Sequence, residues 1–340
     1  MKLTDLYIDK KQIYSSQISD IYSAKDVKTN TTVCLKIVDV DFSIPPHSIK
    51  REIQLVKRLS PHPRIIDYVG GLQIDDDIIL VTTLYKHNLS ELVKLPRYCK
   101  RTTKFDFTNG THAYIDRNII DESDIKQWLK QMSCGLKYIH NSGIIHRDIK
   151  PSNIMFVNDD ITQPIIGDFG ISYDVNNDIN SGELATEKYI DVCTGIFKSP
   201  ELLLGITDYL YEIDIWSLAI ILTILYSPNF ESVLIKQDEE LSNDEIECVI
   251  SDLHLLSNIF KTFGTPSVTD VTSELYWEEL TSKTSHFTKF KLIEHNRLDD
   301  SQLIPRCEDK SIGFLFRKMT KYDRTTRVTS EEIYSELTNQ

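Results

Sequence analysis

Cysteine is sparse and scattered. The six residues, Cys34, Cys99, Cys134, Cys193, Cys248 and Cys307, include no C-x-x-C pair, which argues against a zinc site and a disulfide framework and fits a reducing compartment, cytoplasm or nucleus. Positive charge is also in deficit. Lys and Arg number 38 against 51 Asp and Glu, a formal charge of −13, so nucleic acid and anionic membrane surfaces are poor candidates for the main partner. Any polyanion must be met by a few local cations. Long apolar runs are missing: the strongest, Ile215 to Leu225, covers 11 residues, where about 20 are needed to cross a bilayer, and a buried core helix is expected there instead. The opening MKLTDLYIDKKQIYSS mixes charges and has no apolar h-region, so no secretory leader is expected. The closing LTNQ carries no lipidation signal. What remains is a chain of 340 residues, 41% of them hydrophobic, which is enough for a sizeable core and two lobes.

The densest polar pattern is Ile145-His146-Arg147-Asp148-Ile149-Lys150-Pro151-Ser152-Asn153, followed fifteen residues later by Asp168-Phe169-Gly170. A tight loop can aim three side chains at one point, which one face of a helix cannot. Here it offers a carboxylate, Asp148, to accept a proton, an ammonium, Lys150, to neutralise phosphate charge, and an amide oxygen, Asn153, to hold a metal. Asp168 follows Ile165-Ile166 and precedes a glycine turn, which suits a Mg²⁺ ligand at a strand end.

Upstream, Gln12 to Ala24 and Thr31 to Asp39 are rich in Ile, Val, Tyr and Thr, with turn residues at 28–31, and predict strands joined by a hairpin. Val33-Cys34-Leu35-Lys36-Ile37-Val38 alternates around Lys36, which by pattern alone either snorkels from an edge strand or serves a site. Pro45-Pro46 stops the strand, and Ser48 to Leu59 has helical apolar spacing with Glu52 inside it. By pattern alone, Glu52 belongs to a solvated face. Pro61 to Ile66 is expected to begin a further strand pair ending in Ile78 to Leu84. Residues 94–120 are polar, basic over 94–104 and aperiodic, and read as an inserted surface loop. Asp121 to His140 is helical, with Ile125, Trp128, Leu129, Met132, Leu136 and Ile139 on one face. The acidic stretch 238–252 reads as a solvated insertion or as a docking surface for a basic patch.

The polar loop and the Asp-Phe-Gly turn resemble the catalytic and magnesium loops of the protein kinases. That resemblance implies an α+β, bilobal fold in one kinase domain: an antiparallel β lobe, residues 1–84, and a larger, mainly helical lobe, residues 85–340, with surface insertions near 94–120 and 229–252. It implies ATP and Mg²⁺ as cofactors. Lys36 would grip the α and β phosphates, Glu52 would pair with it, and Asn153 and Asp168 would hold the metal. Thr82 to Tyr85, including Thr83 and Leu84, would be the hinge that meets adenine. Asp148 would accept or orient the substrate hydroxyl proton, and Lys150 would stabilise the transferred phosphoryl group. The loop reads HRDxKxxN, as in the serine/threonine class. Ser199-Pro200-Glu201 stands where kinases have A-P-E, and Glu201 is expected to meet Arg327. Asp214, opening Asp214-Ile215-Trp216-Ser217, would anchor the catalytic-loop backbone, while Arg147 and Thr194 would organise the activation segment.

One departure stands out: Tyr14, Ser16 and Ser19 fall at the three glycine positions of the phosphate-clamping loop. Without glycine, backbone N–H groups approach phosphates less closely, so a weaker clamp and a raised KM for ATP are expected. Lys261 to Pro266 resembles an element of the cyclin-dependent-kinase-like group. Phe42 to His47, the glycine-free loop, Gly167 to Asp174 and Cys193 to Glu201 together resemble the monomeric CDK-activating kinases of budding yeasts. This implies cyclin-dependent kinases as substrates, modified on the activation-loop threonine, by a monomer with no cyclin subunit, no nucleic acid and no membrane partner. Tyr189 occupies the place of the activating threonine of cyclin-dependent kinases. A carboxylate, Glu187 or Asp191, is therefore expected to replace the phosphate beside Arg147. Two other readings stand beside this one: a pseudokinase scaffold, and an active kinase of other proteins.

Overall fold

The computed structural model describes residues 2–42, 44–106, 110–157, 160–176, 182–235, 251–281 and 293–339. Five strands, β1 (Tyr7–Ser15), β2 (Asp20–Asp26), β3 (Thr32–Asp39), β4 (Tyr68–Ile74) and β5 (Asp77–Thr83), form an antiparallel sheet in the order β1-β2-β3-β5-β4. The segment expected as one strand from Gln12 to Ala24 is two, because Ser16 to Ser19 close a turn between them. Pro61 to Ile66 is not strand apart from a bridge between Ile65 and Ile166; the strand pair starts at Tyr68.

Alternation along β3 sorts its side chains between two faces. Val33, Leu35 and Ile37 pack with Ala24, Ile79 and Val81 in a small core on one side. Lys36 is thereby turned to the other side, with Val38, which joins the larger core over the helix Ile49–Leu59. That helix starts where the Ser48 hydroxyl accepts from the Arg51 N–H at 3.3 Å. It buries Ile49, Glu52, Leu55, Val56 and Leu59 on one stripe. Glu52 thus lies on the apolar face and not on the solvated face that its residue type alone suggests.

The remainder is mainly helical. The helix Glu122–Asn141 buries Ile125, Trp128, Leu129, Met132, Leu136 and Ile139, and at 20 residues it spans about 30 Å. Its C-terminal end delivers the chain to the polar loop. The apolar run at Ile215 to Leu225 lies in the helix Glu212–Leu225, which buries twelve of its fourteen residues all round and is the axis of the lobe. No helix among the described residues is long and apolar enough to cross a membrane.

The region 94–120 is not the irregular loop its composition suggests. It carries a two-stranded antiparallel ribbon, Cys99–Asp106 with Thr111–Asn118, paired in register from Cys99↔Asn118 to Asp106↔Thr111. Its base is fixed by the Asn118 amide, which donates to the carbonyls of Leu225 at 2.8 Å and Ser227 at 2.7 Å. Of the acidic stretch 238–252, residues through 250 lie outside the described residues. Asp252 opens the helix Asp252–Phe263 and accepts from Lys198 at 3.2 Å, so this carboxylate is not simply solvated.

Candidate active site

The site lies where the outward face of β3, the helix Ile49–Leu59 and the two polar loops converge. The Lys36 ammonium donates to Glu52 at 2.9 Å and to Asp168 at 2.8 Å. Burial works against its charge, but Asp168 and Glu52 together hold its pKa well above the ordinary lysine value. Burial likewise pushes the Asp168 carboxyl up, and Lys36 overcomes this and leaves it far below the usual carboxylate range. Glu52 is drawn upward by burial against the pull of Lys36. Gly170 closes the group. A Cβ there would meet Asp168 Oδ1 and Lys36 Nζ at 3.3 Å and Glu52 Oε2 at 3.4 Å, so a larger residue would press on the ion triad.

Across the cleft, the Thr194 hydroxyl donates to Asp148 Oδ1 at 2.7 Å and accepts from Lys150 Nζ at 2.7 Å. Lys150 also lies 3.0 Å from Asp148 Oδ2. The Asn153 amide nitrogen donates to the Asp148 carbonyl at 2.8 Å and to Asp148 Oδ2 at 2.9 Å, which fixes the amide so that its oxygen is the end left for a cation. Asp168 and Asn153 are hard oxygen donors, and the Asp168 side chain is 40% exposed. Among the described residues no cluster of three or more His, Cys, Asp or Glu forms a metal cage. Few protein oxygens on an open site fit Mg²⁺, which keeps waters and completes its shell with substrate phosphates.

Backbone geometry aims these groups. Arg147 and Asp168 adopt φ of 69° and 61°, a left-handed conformation that costs non-glycine residues of order 1–3 kcal/mol unless the surroundings impose it. The surroundings do. Asp214 accepts from the backbone N–H of His146 and of Arg147, each at 2.9 Å. It is buried, yet hydrogen bonding from His140 and the positive environment there keep its pKa below the ordinary value. His140 in turn bonds Ser330 at 2.9 Å, which ties the loop to the helix Ser330–Thr338. Phe169 is fully buried edge-on to His146, with ring centroids 4.9 Å apart. Asp168 consequently faces the cleft.

The Arg147 guanidinium is 0% exposed and Glu183 is 1% exposed. The two make a bidentate pair, Nη1 to Oε2 at 2.6 Å and Nη2 to Oε1 at 2.9 Å. Glu183 Oε2 also accepts from the Tyr189 N–H at 2.9 Å. Neither Glu187 nor Asp191, the expected partners, reaches Arg147. Asp191 is solvent-exposed and lies 3.4 Å from Lys198. Nearness in sequence to Tyr189 does not select the partner of Arg147, because Glu183 both pairs with Arg147 and accepts from the Tyr189 N–H.

Glu201 and Arg327 meet in a second fully buried pair, at 2.6 and 3.1 Å. Thr83 ends β5, where its hydroxyl donates to Asp67 at 3.3 Å, and Leu84 follows in the link between the lobes. At the tip of the β1–β2 hairpin, the Ser16 hydroxyl accepts from the N–H groups of Ile18 at 3.2 Å and Ser19 at 3.1 Å. These backbone donors are already engaged. Sequence pattern alone marks neither Glu183 as the partner of Arg147 nor Ser16 as the cap of the hairpin tip.

The sequence pattern of the protein kinase domain matches residues 7–337. The serine/threonine-protein kinase CAK1 of Saccharomyces cerevisiae is 30% identical over 96% of this chain and 91% of its own length. Cyclin-dependent kinase C-2 C of Arabidopsis thaliana is 30% identical over 88% of the chain, and extracellular signal-regulated kinase 2 of Dictyostelium discoideum is 25% identical over 92%. The chain spans 39% of the plant kinase's length and 73% of the amoebal one. Enzymes of this family generally use ATP and Mg²⁺. The chain belongs to the protein kinase family, within its serine/threonine, cyclin-dependent-kinase-like branch.

Proposed function

We propose that this chain transfers the γ-phosphoryl group of ATP to the activation-loop threonine of cyclin-dependent kinases. The observation that carries the chemistry is the facing pair of clusters, Lys36–Glu52–Asp168 and Asp148–Lys150–Thr194–Asn153. Support for the substrate is the 30% identity to CAK1 over nearly the full length of both chains, together with the sequence resemblance to the monomeric CDK-activating kinases.

In this reading Lys36, held rigid by two carboxylates, meets the α and β phosphates. Thr83 and Leu84 offer backbone groups to adenine. Asp168 and Asn153 hold Mg²⁺, which when bound neutralises charge on the phosphate oxygens. Asp148 orients the incoming hydroxyl and takes its proton at a carboxylate oxygen, and Lys150, 3.0 Å away, stabilises charge on the transferred group. Positioning and electrostatics carry most of the rate in such a transfer. The Arg147–Glu183 pair keeps the activation segment ordered without phosphorylation, and the sequence resemblance to the monomeric CDK-activating kinases supports action as a monomer without a cyclin subunit.

The test is incubation of unphosphorylated protein, with Mg²⁺ and ATP, with a panel of unphosphorylated kinases, followed by mapping of the modified residue. Phosphate on the activation-loop threonine of cyclin-dependent kinases, lost with Asp148→Asn, is the expected result. Equal signal from wild type and Asp148→Asn overturns the chemistry, and modification of unrelated proteins only overturns the substrate.

A further inference from the structure

His47 sits in the loop before the helix Ile49–Leu59, and the mechanism above gives it no part. Its backbone is fixed on both sides: its own N–H donates to the Ile44 carbonyl at 2.9 Å, and the Ser48 N–H donates to the Gly170 carbonyl at 3.0 Å. The second bond fastens this loop to the glycine of the Asp168 turn. The imidazole is half-buried and lines one cleft together with Lys36, Glu52, Gly170 and, from the hairpin tip, Ile18. Neither ring nitrogen has a hydrogen-bond partner among the described residues. Burial holds its pKa below the ordinary histidine value, while Asp168, Lys36, Asp148 and Lys150 all lie near enough to act on its charge.

Two facts meet at this cleft. The hairpin tip that would clasp phosphates has its Ile18 and Ser19 N–H groups engaged by the Ser16 hydroxyl. An imidazole with unused nitrogens lines the same cleft as Lys36 and the hairpin-tip residue Ile18. Neither nitrogen is sealed from solvent, so a ligand entering the cleft can take the place of water at the imidazole. We infer that His47 is a phosphate-contacting residue for the nucleotide, donating a ring N–H to the polyphosphate in place of the backbone donors that the glycine-free hairpin does not supply. The inference deepens the proposed function and rests on its placement of ATP against Lys36.

The test is binding, measured by calorimetry on full-length protein with Mg²⁺–ATP, ADP and adenosine for wild type, His47→Ala and His47→Gln. A hydrogen bond to a charged phosphate corresponds to about a tenfold change in Kd. The expected result is about tenfold weaker ATP and ADP binding by His47→Ala, unchanged adenosine binding, and recovery of most of the loss in His47→Gln, whose amide retains an N–H. Adenosine serves as the measure of an intact nucleotide cleft. Equal ATP affinity in wild type and His47→Ala overturns this inference alone, as does a parallel loss of adenosine binding, which would mark His47 as a structural residue. A wild-type protein that binds none of the three overturns the proposed function, and this inference with it.

Discussion

Replacing Glu183 with alanine strips the buried guanidinium of Arg147 of its carboxylate, leaving it the Ile171 carbonyl at 2.5 Å and the Tyr209 hydroxyl at 3.2 Å. Removing one partner of a buried ion pair costs about 3–5 kcal/mol, because the other charge stays desolvated. The 0% and 1% exposures of this pair place it in that class. The same change frees the Tyr189 N–H, so the loss falls on the activation segment. The catalytic-loop backbone keeps its Asp214 anchors. A loss of about 3 kcal/mol changes the ratio of ordered to released segment by roughly a hundredfold. Unphosphorylated Glu183→Ala should therefore show kcat/KM for protein substrate lower by one to two orders of magnitude, with faster proteolytic cleavage between residues 182 and 199. The double variant Arg147→Met, Glu183→Ala removes the stranded charge and should regain part of the thermal stability that Glu183→Ala loses. A Glu183→Ala protein with wild-type activity and wild-type protease resistance would refute the idea that this carboxylate holds the segment in place of a phosphate.

Restoring glycine at Ser16 and Ser19 removes the hydroxyl that engages the tip N–H groups and should lower the KM for ATP several-fold with kcat little changed; an unaltered KM counts against the weak-clamp reading. Glu201→Gln leaves the fully buried Arg327 cation without its counter-charge and should reduce unfolding stability by about 3 kcal/mol, read as a fall in the urea midpoint, whereas an unshifted midpoint would show that the pair is energetically idle. Asp309 caps the helix Lys310–Met319 through the Ser311 N–H at 2.8 Å, and its pKa is lowered to about 2, chiefly by Lys126 and then by Ser311. A depressed carboxyl contributes stability above its unfolded pKa and loses it as pH falls toward the folded one. The difference in unfolding free energy between wild type and Asp309→Ala, read from urea titrations, should thus be full at pH 6, about 1 kcal/mol for the lost cap, and shrink between about pH 4 and pH 2; a constant difference across that range would contradict the assigned cause.

The candidate site residues could be picked out in the sequence because kinase loops carry their motif residues at short fixed spacings. Lys36, Glu52, Asp148, Asn153 and Asp168 are drawn together in space by the β3 alternation and by the two loops. The ribbon at 99–118 was not legible as strand. Among its described residues, this ribbon is buried at its base, at Cys99 and Asn118. Without a buried face there is no two-residue hydrophobic alternation to detect. Glu183 was missed for a different reason: its role arises from a chain reversal that joins it to Arg147, 36 positions away, and no local pattern encodes that. The splitting of the first strand was hidden because Ser16 replaces the glycine that ordinarily punctuates such a turn, its hydroxyl doing in side-chain form what backbone freedom does elsewhere.

Closure of the ribbon's base concentrates its attachment at one point. Cys99 and Asn118 are paired partners, and the Asn118 amide is riveted to two main-chain carbonyls beyond the ribbon, so a change at this one side chain would loosen the hold on the described ribbon residues distal to it, while a change on their exposed surface would leave that hold intact.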